Sequence, residues 1–338
     1  MNWYLQSGKD SDVVLSTRVR IARNISEIPF DIKSDLTDFE NVINLINRTL
    51  EKISLRLRTI RLKDIDDLTK LSLIEKHLIS PDFVVNKNDV GAIAINEEEN
   101  ICLMINEEDH LRIQVISSGF DVINTLNLIY EIDDMLSKEI NYAFSDKYGF
   151  LTSCPTNVGT GLRVSVMVHL PAITETGNIQ KILEVVNDFG MNIRGVYGEG
   201  TESQGNIYQI SNKTTLGLTE EEISKNLCVI IDKIIEQEKL ARKYLTKNSI
   251  ELEDKLYRAY GILVNSRKIS SVECNKLMSD IRLGVDLGII KELTDLKVNK
   301  LELYTKSANL QKYTGQVLDE YERDIARAEV IKKIINEN

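Results

Sequence analysis

All four prolines of the chain, Pro29, Pro81, Pro155 and Pro171, fall within its first 171 residues. Proline removes a backbone donor and clashes with the preceding turn, so it breaks helix interiors. The proline-free remainder is therefore open to long helices, while the front is segmented. A mixed α and β front followed by a helical back is expected. The composition is that of a folded chain, with 42% hydrophobic and 28% charged residues. At about 150 residues per domain, 338 residues make two domains.

In the front, strand and helix patterns alternate. Residues 13–21 read as a strand. Residues 34–53 read as a helix, with Thr37 and Glu40 as its capping box and Phe39, Val42, Ile43, Ile46, Leu50 and Ile53 on one face. Residues 92–95, 101–105 and 111–116 read as short strands. Residues 120–144 form a long helix carrying Val122, Leu126, Ile129 and Leu136. The strongest strand is 162–170, where Leu162, Val164, Val166, Val168 and Leu170 alternate with Arg163, Ser165, Met167 and His169. A helix at 178–189 and a strand at 207–210 follow. Thr219 and Glu222 form a capping box for a helix running to about Lys243. Beyond Tyr244 the spacing of Leu252, Leu256, Ala259, Tyr260 and Leu263 is helical, Ser270 and Glu273 cap the next helix, and a last helix starts near Gly315. The expected domains are 1–243 and 244–338.

Lys and Arg number 42 against 52 Asp and Glu, a net charge of −10. With no basic block, the chain is a poor partner for nucleic acid or an anionic membrane, both of which need clustered cations. Cys102, Cys154, Cys228 and Cys274 form no CxxC pair, which excludes a zinc ribbon or thioredoxin motif. The start, MNWYLQSGKDSD, has no signal-peptide core, and no apolar run is long enough to span a bilayer. The expectation is a soluble, cytoplasmic protein.

Five arginines stand out. Arg18 and Arg20 share one face of a strand, Arg112 and Arg163 sit on polar faces of two others, and Arg194 opens a Gly-rich loop. Convergent guanidinium groups grip phosphate oxygens bidentately, which suits a nucleotide polyphosphate. Taken singly, each also reads as a solvated arginine or half an ion pair. Asn157 to Gly161 is Gly-rich, but no GK[ST] follows, so it is no Walker loop. The turn Asn106-Glu107-Glu108-Asp109-His110 concentrates carboxylates, and Glu199 lies in the Gly-rich loop. Such a turn is a solvated hairpin or a pair of carboxylates that orients a cationic substrate and takes its proton. Cys154 reads as a buried thiol or as a reactive thiolate. His77, His110 and His169 lack metal-ligand spacing, so no structural metal is expected and Mg²⁺ enters with the nucleotide. Arg323 and Arg327 share a helix face, as a solvated surface or as a site for a phosphorylated group.

Four ordered segments resemble the phosphagen (guanidino) kinases: Leu15-Ser-Thr-Arg-Val-Arg-Ile-Ala-Arg-Asn24, Asn106-Glu-Glu-Asp-His-Leu-Arg112, Cys154-Pro-Thr-Asn-Val-Gly-Thr-Gly-Leu-Arg163, and Arg194-Gly-Val-Tyr-Gly-Glu-Gly200 with Ile207-Tyr-Gln-Ile-Ser-Asn212. Within that superfamily the chain is most similar to the bacterial protein arginine kinases. It opens directly on the catalytic region, ends in a helical segment, and carries Arg323-Asp-Ile-Ala-Arg-Ala328, which fits their RDxxRA pattern.

The resemblance implies an α+β, phosphagen-kinase-like catalytic domain, mainly an antiparallel sheet flanked by helices, followed by an all-α domain. It implies ATP and Mg²⁺ as cofactors. Ser16, Thr17, Arg18, Val19, Arg20, His77, Arg112, Arg163, Val164, Ser165, Val166, Met167, Arg194, Gly195, Val196, Tyr197, Gly198 and Glu199 would bind the nucleotide. His77 would lie beside the adenine. Glu108 and Glu199 would clamp the substrate guanidinium, with Glu108 as base and Cys154 at its edge. Arg323, Asp324, Arg327 and Ala328 would bind phosphoarginine. Where this loop has Tyr197, metabolite kinases carry a further arginine. The implied activity is ATP-dependent phosphorylation of protein arginines, marking proteins for Clp degradation and inactivating a stress-gene repressor, with a zinc-binding activator and a homodimeric assembly. A metabolite guanidino kinase and a non-catalytic phosphoarginine adaptor are the competing readings.

Overall fold

Strand β1 (Val14–Arg23) organises the molecule because both its faces are used. The computed structural model describes residues 2–53, 55–195, 203 and 205–337. After β1 come α1 (Leu36–Lys52), β2 (Arg58–Arg61), α2 (Asp67–Glu75), α3 (Pro81–Lys87), β3 (Ala92–Ile95), β4 (Ile101–Ile105), β5 (Leu111–Ser118) and α4 (Val122–Ser137). A small hairpin, β6 (Phe144–Ser145) and β7 (Gly149–Phe150), leads to β8 (Leu162–His169), α5 (Pro171–Glu175), α6 (Ile179–Asp188), β9 (Met191–Gly195), β10 (Ile207–Asn212) and α7 (Glu220–Leu245). Eight strands form one sheet in the order β2-β3-β4-β5-β1-β8-β10-β9, and every neighbouring pair is antiparallel.

One face is apolar throughout. Val19, Ile21, Ile113, Val115, Val164, Val166 and Val168 pack there with Val42, Ile46, Ile129, Ile132, Leu227 and Ile231 from α1, α4 and α7. Burying each such side chain is worth about 1.5–3 kcal/mol. The other face is divided. Over β3 to β5 it is covered by α2, α3 and the adjoining turns, through Leu73, Leu78, Phe83, Ile93, Met104 and Ile116. Over β1, β8, β10 and β9 it carries polar side chains and is open.

The rest of the chain is helical: α8 (Ser249–Asn265), α9 (Ser271–Asp286), α10 (Asp295–Tyr304), α11 (Ser307–Thr314) and α12 (Glu320–Ile335). Leu256, Leu263, Ile281, Leu301, Leu310 and Ile331 belong to a core of its own. These helices lie beside the open sheet face. The Glu75 carboxylate at the end of α2 accepts from the backbone N–H groups of Ala308 and Asn309, both at 2.8 Å, and so caps α11. Ser279 Oγ of α9 meets His169 Nε2 of β8 at 2.8 Å.

Some boundaries differ from expectation. Helix α1 is capped by Asp35, whose Oδ1 accepts from Thr37 and Asp38, rather than by Thr37 with Glu40. Helix α4 ends at Ser137 rather than 144, because Ala143 N–H pairs with Asn24 C=O and Phe144 enters the hairpin. The last helix begins at Glu320, since Gly315 adopts φ 71° and ends α11. The capping box of Thr219 and Glu222 and the Ser270 cap are present as expected.

Candidate active site

The register decides which side chains share the open face. Arg18 and Arg20 are two apart on β1 and therefore point the same way. Arg20 lies directly opposite Arg163 of β8, and Ala22 opposite Arg112 of β5. Arg194 of β9 lies opposite Gln209 of β10, which lies opposite Met167. All five arginines line one cleft of about 820 Å³.

Their partners are few. Arg18 Nη2 donates to Gln209 Oε1 at 3.0 Å, and Arg163 Nη2 to Ser211 Oγ at 3.4 Å. The Nε groups of Arg20 and Arg163 are buried with no hydrogen-bond partner among the described residues. Burial, with repulsion from Arg163, Arg194 and Arg112, pushes Arg18 down to about 10. Burial and the neighbouring arginines hold Arg20 well below the usual guanidinium range, with Glu107 opposing. Guanidinium stays protonated in proteins, so these shifts register positive charge stored in the cleft. Unmet donors and unbalanced cations are what a bound polyphosphate would satisfy.

The acidic turn between β4 and β5 divides its labour. Asn106, at φ +61°, donates through Nδ2 to the carbonyls of Phe39 and Val90 and pins the turn. Glu107 is buried and accepts from Arg112 Nη1 at 2.7 Å and Ser80 Oγ at 2.9 Å. The Glu108 side chain is 42% exposed at the cleft wall, 3.2 Å from Arg112 Nη2 and 3.5 Å from Asn157 Nδ2. Asp109 bolts the turn from beneath, accepting from Asn24 Nδ2 and Ser153 N–H. His110 bonds Ile25 N–H through Nδ1 and Pro29 C=O through Nε2, so its ring is structural.

His77 lines the cleft at φ +60°, and burial keeps its imidazole well below its usual range, hence neutral. Thr17, Val19, Val164 and Val166 point to the apolar face, with Thr17 Oγ1 donating to Gly119 C=O. Contacts from these four with a ligand on the open face would have to be made by backbone. Ser16 and Met167 line a neighbouring cavity, and Ser165 Oγ donates to Arg18 C=O. Cys154 is half-buried, its Sγ 3.0 Å from Thr156 Oγ1, and Thr156 and Asn157 line the cleft. Gly161 has a packing role: its φ is +66° and an added Cβ would meet the Ala22 carbonyl at 2.6 Å. Gly195 closes β9 beside the cleft, while Val196, Tyr197, Gly198 and Glu199 lie outside the described residues.

Similarity to known proteins decides the family. Residues 38–241 match the family described as ATP:guanido phosphotransferase, C-terminal catalytic domain, and residues 249–338 match the protein-arginine kinase McsB C-terminal domain. A protein-arginine kinase of Brevibacillus brevis is 43% identical over 337 residues, covering 98% of this chain and 94% of its own. One of Bacillus pumilus is 44% identical over 336 residues, covering 98% and 92%. The chain belongs to the protein-arginine kinase family. It is thereby a phosphotransferase of the guanidino-kinase fold. The crystal structure of lombricine kinase is 25% identical, with a TM-score of 0.60 over 68% of this chain and 67% of that one. The duplicated taurocyamine kinase of Schistosoma mansoni, with bound transition state analog components, is 27% identical with a TM-score of 0.63. That match covers 75% of this chain but only 38% of the duplicated protein.

In this family member the segment 323–328 lies on α12, and none of its residues is among those lining the cleft, although Arg327 touches Thr305, which does line it. Arg327 is 1% exposed; its Nε donates to Thr305 C=O, and its Nη1 to Ile269 C=O and to Asp324 Oδ1 at 2.6 Å. Ala328 is buried, whereas Arg323 is half-buried and donates to Leu318 C=O. Sequence reasoning missed Gln209 and Ser80, and took Glu107 only as one carboxylate of the acidic turn; these residues hold the arginines and that turn in place. Gln209 could have been found as the polar position between Tyr208 and Ile210 in the strand 207–210. Lys306, Ser271, Asn275 and Thr305 also line the cleft from the helical region, and no local pattern marked them.

Proposed function

We propose that the cleft binds Mg–ATP and moves its γ-phosphoryl group to an arginine side chain of a protein substrate. The carrying observation is five arginines on one sheet face with a part-exposed glutamate at the edge. Arg18, Arg20, Arg112, Arg163 and Arg194 hold the phosphates and neutralise charge that spreads over the transferring group. His77 lies beside the base. Glu108 orients the guanidinium and accepts its proton; Glu199 is the second carboxylate and Cys154 flanks the same group. The P–N bond forms as the bond from the γ-phosphorus to the bridging oxygen breaks, ADP leaves, and the proton passes to Glu108 and then to water. A guanidinium holds its proton far more tightly than neutral water chemistry releases it, so proton loss is late and coupled to P–N bond formation.

We infer two domains, 1–243 and 244–338, supported by the separate helical core. Marking of proteins for Clp degradation, inactivation of a stress-gene repressor, a zinc-binding activator, homodimerisation and phosphoarginine binding at Arg323, Asp324, Arg327 and Ala328 rest on the family resemblance, and a cytoplasmic location rests on the sequence reading, which finds no apolar run long enough to span a bilayer. The internal bonds of Arg327 mean that such binding would start at Arg323 and loosen the Asp324 pair. Replacing Glu108 by Gln tests the cleft assignment. Turnover should fall about 10²- to 10⁴-fold while ATP affinity, measured by calorimetry, stays within about twofold. A near-normal rate would sink the role given to Glu108.

A further inference from the structure

We propose that Asn24 is a positioning residue for phosphoryl transfer: its buried amide locks the turn that carries Glu108 to the loop that carries Cys154. This deepens the reading of Glu108 as the group that takes the guanidinium proton, and rests on it. Asn24 follows directly on β1 and is 1% exposed. A buried amide needs partners for its oxygen and its N–H groups. Oδ1 accepts from His110 N–H at 2.8 Å, and Nδ2 donates to Asp109 Oδ1 at 2.8 Å and to Leu151 C=O at 3.3 Å. Asp109 and His110 close the acidic turn, whereas Leu151 opens the Cys154 loop. Asp109 Oδ1 also accepts from Ser153 N–H at 2.7 Å, so turn and loop are tied twice around one amide.

The direct contacts between the same two segments are longer. Asn157 Nδ2 is 3.4 Å from Asp109 Oδ2 and 3.5 Å from Glu108 Oε2, beyond the usual N–H···O range of about 2.7–3.2 Å. The other anchors of the turn lead elsewhere: Asn106 to the carbonyls of Phe39 and Val90, Glu107 to Arg112 and Ser80. They fix the turn to the body of the domain and leave its spacing from the loop to Asn24 and Asp109. The far end of the loop is held by the preceding residue. Arg23 Nη1 donates to Thr160 C=O at 2.9 Å, while its Nε and Nη2 grip Asp133. Residues 23 and 24 thus clasp both ends of the loop, with Cys154 and the cleft-lining Thr156 and Asn157 between them. A slip of about 1 Å at a reacting group can cost about 10²-fold in rate. Asn24 therefore acts on the reaction through Glu108, without touching the substrate.

A double-mutant cycle on the full chain tests this, with Mg–ATP, a basic unstructured protein as acceptor and labelled phosphate as readout. Asn24→Ala should lower kcat about 10- to 100-fold and leave the ATP KM within about twofold, since the phosphate-binding arginines keep their strands. Residues that act as a unit are not additive. In the Glu108→Gln background the same change should therefore cost less than about threefold. A merely structural loss would multiply with that of Glu108→Gln, and that result would overturn the proposal, as would a normal kcat for Asn24→Ala; either leaves the role of Glu108 intact. A near-normal rate for Glu108→Gln alone would remove the reading of Glu108 and this proposal together. If Asn24→Ala does not fold, Asn24→Asp keeps the acceptor for His110 N–H and loses only the donors to Asp109 and Leu151, and the same cycle decides.

Discussion

Arg20→Met should make the ligand-free protein more stable while weakening its hold on ATP. Arg20 and Arg163 face each other directly across β1 and β8, where opposed Cβ atoms are about 4.5–5.5 Å apart. Two unit charges at that distance repel by about 3 kcal/mol at an effective dielectric constant of about 20. Glu107 offsets part of this, and guanidinium tips splay wider than Cβ atoms, which leaves about 1 kcal/mol. The buried, unpartnered Arg20 Nε adds a further penalty of about 1–3 kcal/mol. Methionine keeps the apolar stem and carries neither cost, so a net gain of about 2 kcal/mol follows. At about 2–4 °C per kcal/mol for a domain of this size, Tm should rise by about 4–8 °C without ligand. With ATP the order should reverse, because each lost charged hydrogen bond is worth about 1.5–3 kcal/mol, roughly 10- to 150-fold in affinity. Differential scanning calorimetry in low salt, with and without ATP, reads both effects. The ligand-free gain should shrink in high salt as repulsion is screened. A lower Tm for Arg20→Met without ligand, unmoved by salt, would refute the idea that the cleft stores uncompensated positive charge.

Three further outcomes follow. Glu107→Gln releases Arg112 from its buried anchor and should raise the ATP KM about tenfold while costing turnover far less than Glu108→Gln, which steady-state kinetics would separate. Arg327→Ala strands two carbonyls and the Asp324 carboxylate and should destabilise the helical region by about 3–5 kcal/mol; hydrogen exchange in α10 and α12 would report it, and a loss below about 1 kcal/mol would contradict it. Burial raises the Asp286 carboxyl from 3.8 to about 7 despite Arg282 and Arg242. The folded state therefore holds this proton where the unfolded state releases it, so its contribution to stability falls as pH rises from about 4 to about 7. Asp286→Asn should flatten that part of the Tm-against-pH curve, and an unchanged slope would exclude the residue.

Strict alternation made the central strands legible. In β8 every second residue is Leu or Val, so the faces of Arg163 and Met167 follow from period two alone. The edge strands β2 and β9 lack that signal, because Arg58–Arg61 and Met191–Gly195 each have one neighbour and carry polar residues. The arginines could be assigned to faces, but not paired, since Arg20 meets Arg163 through a register set over long range. Glu107 and Glu108 look alike in the chain. Only Ser80, arriving from the start of α3, shows which is buried. The spacing of Arg323 and Arg327 correctly implied a shared helix side, yet their different burial depends on α10 and the α8–α9 turn packing over Arg327. Lys306 reaches the cleft only because Glu75 caps α11, a contact that no local pattern encodes.

The most direct measurement offers Mg–ATP and the full chain either a basic, unstructured protein or free arginine, and follows the transferred phosphate by ³¹P resonance and acid treatment. A phosphoramidate signal on the protein that acid removes, with none on free arginine, is the expected result. Acid-stable phosphate would contradict transfer to a guanidino nitrogen. Transfer to free arginine would make the cleft that of a metabolite kinase. No transfer to either, with ATP bound, would leave only a phosphoarginine-binding role.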